Sequence, residues 1–97
     1  MPKYEGHYKQ GADEHPVKFK SFKLKKGVVK GRGKDDVGRF HILGSYDEHG
    51  AVKFTKQYEG AHAVEYTGHN NGEHIEGHWH VMGMSDAFKI SVRNYPL

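Results

Sequence analysis

Three histidines and a glutamate alternate along one short stretch of this chain: His74, Glu76, His78 and His80. A His-x-His pair with a carboxylate is a ligand set for zinc or copper. On a strand, residues two apart share a face, so all four come together. The same alternation sends Ile75, Trp79 and Val81 to the opposite face, as a core would require. His74, Glu76, His78 and His80 are therefore expected on the solvent side, and no resident metal or other cofactor is assigned.

Lys56 breaks the rule that charges face out. It shares the alternation of Val52, Phe54 and Tyr58. An ionised lysine is seldom buried without a partner. Asp35 or Asp36, at the turn before the fourth strand, is placed to pair with it. The readings are an internal salt bridge, a lysine reaching water at a barrel mouth, or an anchor for an anionic ligand. Tyr8, Tyr46, Tyr58, Tyr66 and Trp79, with His62, fall on the inward phase too. Inward hydroxyls need hydrogen-bond partners, and a dry core would use phenylalanine instead. These aromatics either line a small-molecule pocket or sit at strand ends with their hydroxyls in water.

A basic stretch is the fourth constellation: Lys18, Lys20, Lys23, Lys25, Lys26, Lys30, Arg32 and Lys34. Phosphate binding by such a patch would be salt-sensitive and sequence-blind. Against it stand the scarcity of arginine and the lack of an exposed aromatic platform for stacking bases. Outward lysines also serve solubility and edge protection. Nucleic acid is therefore the less favoured partner.

Other patterns carry no chemistry. Gly31-x-Gly33 followed by Gly38 has no helix behind it to bind a phosphate. Ser21, Ser45 and Ser85 lack a nucleophile-elbow context. The carboxylate pairs Asp35-Asp36 and Asp47-Glu48 sit in turns, where solvation is expected. There is no cysteine, which removes disulfides, thiolate metal sites and thiol nucleophiles.

The elements that must position these residues are announced by a threefold pattern. Gly-x-aromatic is followed by apolar-Lys-apolar, first as Gly6-His7-Tyr8 with Val17-Lys18-Phe19. It returns as Gly44-Ser45-Tyr46 with Val52-Lys53-Phe54, and as Gly77-His78-Trp79 with Phe88-Lys89-Ile90. Each copy reads as two antiparallel strands around a polar turn, with the lysine outward. Eight strands are expected, over 4–9, 17–25, 28–34, 39–46, 51–58, 62–67, 73–82 and 87–93. Residues 10–15 are expected as a loop, 83–86 as a turn and 94–97 as a short tail. The second strand changes phase between Val17/Phe19 and Phe22/Leu24, which calls for a bulge near 20–22. Lys26-Gly27 and Asn71-Gly72 are turn signals.

Strands of this length with frequent turns and no convincing helix make an all-β antiparallel meander. Eight such strands can close into an up-and-down barrel, which removes exposed edges; a two-sheet sandwich is the alternative. Thirteen glycines and twelve aromatics, with alanine and leucine scarce, agree with that class. The length fits one domain over 1–97 with a modest core. Met-Pro-Lys opens without an apolar stretch, and nothing approaches a membrane-spanning run, so a cytoplasmic location is expected. The net charge of +3 is uneven: residues 1–34 hold ten Lys/Arg against three Asp/Glu, and the remainder five against nine.

The meander and its Gly-x-Trp/Tyr elements resemble the streptavidin-like and lipocalin-like barrels of the calycin type. Gly44-Ser45-Tyr46 is similar to a strand element near the pocket of biotin binders. Biotin binding is not implied, because Trp79 is the single tryptophan. Residues 28–90 more closely resemble a small uncharacterised β-domain. The shared pattern runs from Gly31-x-Gly33-x-x-Asp36-x-Gly38 through Phe40, Ile42, Gly44 and Tyr46. It continues with Phe54-x-Lys56-x-Tyr58-x-Gly60-x-His62-x-Val64-x-Tyr66-x-Gly68 and ends on Ile75-x-Gly77-x-Trp79 and Phe88-x-Ile90. That resemblance implies fold and no activity.

The leading expectation is a non-enzymatic module that binds a small ligand at a barrel mouth, an anion being one reading of its chemistry. Lys56, Tyr58, His62, Tyr66 and Asp36 would be polar contacts, with Trp79 and Tyr46 as walls. Such a site requires an interior that side chains do not fill. The alternatives are a protein-interaction or homo-oligomerisation module, and a nucleic-acid or anionic-surface binder acting through 18–34. An enzyme using His62 as acid/base is the least favoured.

Overall fold

The computed structural model describes residues 2–94, with side chains from 4 to 91. Eight strands follow in order: β1 (Pro2–Gln10), β2 (Asp13–Lys25), β3 (Val28–Lys34), β4 (Arg39–Tyr46), β5 (Ala51–Tyr58), β6 (Ala63–Asn70), β7 (His74–Val81) and β8 (Met84–Asn94). Each pairs antiparallel with its neighbour in sequence, and β8 returns to pair with β1, closing the barrel. The expected meander barrel is thus the fold, and the sandwich is not. Among the described residues no helix is long and apolar enough to cross a membrane. The tail expected over 94–97 lies outside the described residues from 95 onward.

Alternation builds the wall. On β5, Val52, Phe54, Lys56 and Tyr58 are all buried and point inward, while Ala51 and Lys53 are exposed. Val29, Ile42, Val64, Ile75 and Ile90 do the same from other strands. Rings fill the middle: Phe54 stacks on Tyr66 at 4.8 Å, and Phe88 meets Tyr66 edge-on at 4.9 Å. Burying side chains of this size stabilises the fold by about 1.5–3 kcal/mol each. Gly44 makes room for this packing. A Cβ there would overlap the Lys53 carbonyl oxygen and the Cα of Phe54.

The bulge lies where the phase change requires it. Phe19 pairs with Gly33 and Ser21 with Arg32, leaving Lys20 as the extra residue. Phe19 and Phe22 consequently both face the core, with Lys20 exposed between them.

Strand bounds differ from expectation in β1, β2, β6, β7 and β8, most of all at the starts of β2 and β8. The segment 10–15 is mostly strand, because β2 begins at Asp13 and pairs with β1. A His7–Glu14 contact at 2.8 Å and a Tyr8–His15 ring stack hold it there. The β7–β8 turn is only Met82-Gly83, both at positive φ (48° and 76°), so β8 starts at Met84. At Asn71-Gly72, Gly72 alone has positive φ (96°). The side chain of Asn71 closes that loop by accepting from the amides of Glu73 and His74.

The up-and-down order sorts the connections. Those after β1, β3, β5 and β7 lie at one end of the barrel, and those after β2, β4 and β6 at the other.

Candidate functional site

The first end is capped by a buried ion pair. The Lys56 ammonium donates to Asp35 Oδ2 at 2.8 Å, and the Tyr58 hydroxyl donates to the same oxygen at 2.6 Å. Lys56 reaches this position because β5 runs toward that end with Lys56 on its inner face. Asp35 reaches it from the β3–β4 turn, whose amide at Val37 donates back to Asp35 Oδ1. The expectation that turn carboxylates are solvated fails for Asp35, whose side chain is fully buried. Lys56 Nζ also lies 4.9 Å from the ring centres of Tyr8, Phe40 and Tyr58 and 5.2 Å from that of Tyr66. Ring faces attract a cation at such distances, most strongly away from water.

These contacts set the protonation states. Burial pushes the Lys56 ammonium below its ordinary range, while the hydrogen bond and charge of Asp35 oppose the shift. Burial, and then the Asp35 carboxylate, hold the Tyr58 and Tyr66 hydroxyls well above the usual tyrosine range. Tyr8 is raised by burial, with Asp35 and Asp36 adding to it.

The expected mouth residues separate into groups. Lys56, Tyr58 and Tyr66 come together as above. Asp36 turns outward and lies 2.7 Å from His15 Nδ1, so Asp35 is the partner of Lys56. His62 precedes β6 and is exposed, with its ring tilted over Tyr58 at 5.2 Å. The inward phase expected for His62 fails because the strand begins one residue later. Trp79 is buried and donates from Nε1 to the Lys9 carbonyl at 2.8 Å. Tyr46 pairs with Val52 at the opposite end of the barrel and does not join the others.

The interior around Lys56 is filled. Tyr8, Ile42, Phe54, Tyr66 and Phe88 leave about 10 Å³ between them. That is about the minimum for one water molecule. The anion that Lys56 meets is the chain's own Asp35.

The outer histidines stay apart as ligands. Glu76, His78 and His80 are exposed, and His80 Nε2 contacts Thr67 Oγ1 at 3.3 Å. His74 is only half-exposed, and its Nδ1 is buried without a partner. No group of three metal-ligating side chains forms among the described residues.

The second feature is the outer face of β2, β3 and β4. Pairing places Lys18 opposite Lys34, Lys34 opposite Arg39, Lys23 opposite Lys30, and Arg32 opposite His41. Like charges directly opposite one another destabilise a sheet. Among the described residues no salt bridge joins these lysines and arginines to a carboxylate, although Glu5 stands opposite Lys18 on β1. Beside the bulge, Lys18, Lys20, Arg32, Lys34 and Arg39 rim an open cleft of about 490 Å³ in which Glu59 is the single acid. Arg39 and His41 join only through strand pairing. Their sequence signal is the Asp35–Gly38 turn, which returns β4 beside β3. With this geometry in hand, no protein-family profile, curated protein or solved structure matches the chain.

Proposed function

We propose that this protein is a non-enzymatic binding module whose ligand is a polyanion held on the outer face of β2–β4. The observation that carries the reading is the opposition of cations across neighbouring strands, Lys23–Lys30 and Lys18–Lys34–Arg39, the second row bounded by Glu5 opposite Lys18 and by Glu59 beside Arg39. Such pairs cost stability unless an anion lies over them. The cleft beside the bulge at Lys20 adds a concave seat to this face, and a second of about 530 Å³ lies along it between Lys23, Lys30, Arg32 and Leu43.

The small-ligand reading has less to support it. It needs a cavity behind the mouth and an unmatched charge, and Lys56 has neither beside it. The likeness to streptavidin-like and lipocalin-like barrels is accordingly kept at the level of strand topology, without their internal ligand.

Retention on immobilised heparin over a rising salt gradient tests this function. Elution well above physiological ionic strength, about 0.15 M, is expected for the wild type. The double variant Lys30→Glu/Arg32→Glu should elute distinctly earlier. Elution of the wild type at or below physiological salt would count against the reading.

A further inference from the structure

We infer that the polyanion is a nucleic-acid duplex, gripped along one phosphodiester strand; this rests on the polyanion reading above. Three properties of the β2–β4 face lead there.

The first is spacing. Lys30, Arg32 and Lys34 project from alternate positions of β3, so their Cα atoms step by about 6.8 Å. A row of cations at that step can follow successive phosphates of one strand. Lys18 and Lys23 flank the row on β2, and Arg39 flanks it on β4.

The second is the absence of a stacking surface. Single strands are held by aromatic side chains on which unpaired bases lie. Here Phe19, Phe22 and Phe40 all turn into the core. Outward positions of these three strands carry Lys, Arg, His, Ser, Leu, Val and Pro, with two acids, Asp13 and Glu14, at the start of β2. Such a face offers charge to a backbone and nothing to a base. A duplex presents that backbone with its bases already stacked.

The third is shape. The cleft between Lys20 and Arg39 is a groove, suited to a ridge such as the phosphate strand that borders a duplex groove. A lipid surface offers no ridge. Interfacial anchoring also relies on Trp, Phe or a broad apolar face, and the exposed large apolar residues of these strands and the β3–β4 turn are the scattered Val28, Val37 and Leu43.

Because the contacts are to phosphates, binding should not depend on base sequence. The experiment is fluorescence anisotropy with the full chain and labelled 20-base-pair duplexes of two unrelated sequences. The corresponding single strand and vesicles containing phosphatidylserine are run in parallel. Both duplexes should bind within about twofold of each other, and the single strand about fivefold or more weaker. Arg32→Ala/Lys34→Ala should weaken both duplexes together. A tighter single strand, or a marked preference between the duplexes, would overturn the inference. Binding to vesicles but to neither duplex would replace it with a lipid surface. Heparin retention with no duplex binding would sink the duplex while leaving the polyanion reading intact.

Discussion

The Lys56 ammonium and the Asp35 carboxylate meet at 2.8 Å with side chains 3% and 0% exposed, although 21 residues separate them in the chain. The pair ties the β3–β4 turn to the inner face of β5. It thereby closes the barrel end beside which the basic cleft lies. The cap acts as structure, and its energetics can be tested apart from binding.

Removing one partner leaves the other charged and buried, which typically costs about 3–5 kcal/mol. Lys56→Met and Asp35→Asn should each destabilise by that order in urea or guanidinium denaturation. Lys56→Met/Asp35→Leu should recover part of the loss, since replacing both removes the uncompensated charge while the Tyr58 hydroxyl loses its acceptor. Equal losses in single and double variants would contradict a matched pair.

Alkali should unfold the protein through its inner tyrosines. Tyr58 and Tyr66 are raised above the ordinary value of 10.0 in the folded state. Above pH 10 the unfolded chain therefore releases protons that the folded chain keeps, and stability falls as pH rises. Lys56 acts oppositely: its value is lowered from 10.5, so its contribution grows as pH climbs toward that figure. Denaturation midpoints from pH 8 to 11.5 should drop above pH 10, and less steeply in Tyr66→Phe. Phenolate absorbance from these two residues appearing before unfolding would contradict their burial.

The β7–β8 turn carries a correctable strain. Met82 has φ 48° and is 85% exposed, so its side chain gains little from the position. Asparagine tolerates this conformation and precedes glycine in the favoured two-residue hairpin turn. Met82→Asn should raise stability by about 0.5–1 kcal/mol. A thermal or urea melt checks it, and an unchanged midpoint would count against the turn geometry.

Binding and stability should separate on the basic face. Lys30 faces Lys23, and Lys34 stands between Lys18 and Arg39. Lys34→Glu turns two like-charge oppositions into opposite ones, worth about 0.2–1 kcal/mol each. The variant should melt higher than the wild type and be retained less by heparin. Lower stability with unchanged retention would mean that these lysines serve the fold.

Alternation made the wall legible: Ile75, Gly77 and Trp79 in, His74, Glu76, His78 and His80 out. It reports which face a residue takes but not its height along the barrel. Tyr46 and Lys56 share the inner face, yet Tyr46 pairs with Val52, four residues and about 13 Å along β5 from Lys56. Height follows from register, and register follows from turn lengths that composition specifies poorly. Turn residues have no period at all, which is why Asp35 and Asp36 could not be told apart. The same limit hid Arg39 and His41, whose place on the basic face comes from pairing with Lys34 and Arg32.

The salt dependence of duplex binding tests the central claim most directly. Each phosphate neutralised contributes about −0.9 to the slope of log K against log salt concentration. Lys18, Lys20, Arg32, Lys34 and Arg39 rim the cleft, so a slope of about −3 to −5 is expected. Arg32→Ala should make it shallower by about 1. A slope near zero, or one that Arg32→Ala leaves untouched, would contradict a phosphate grip on this face.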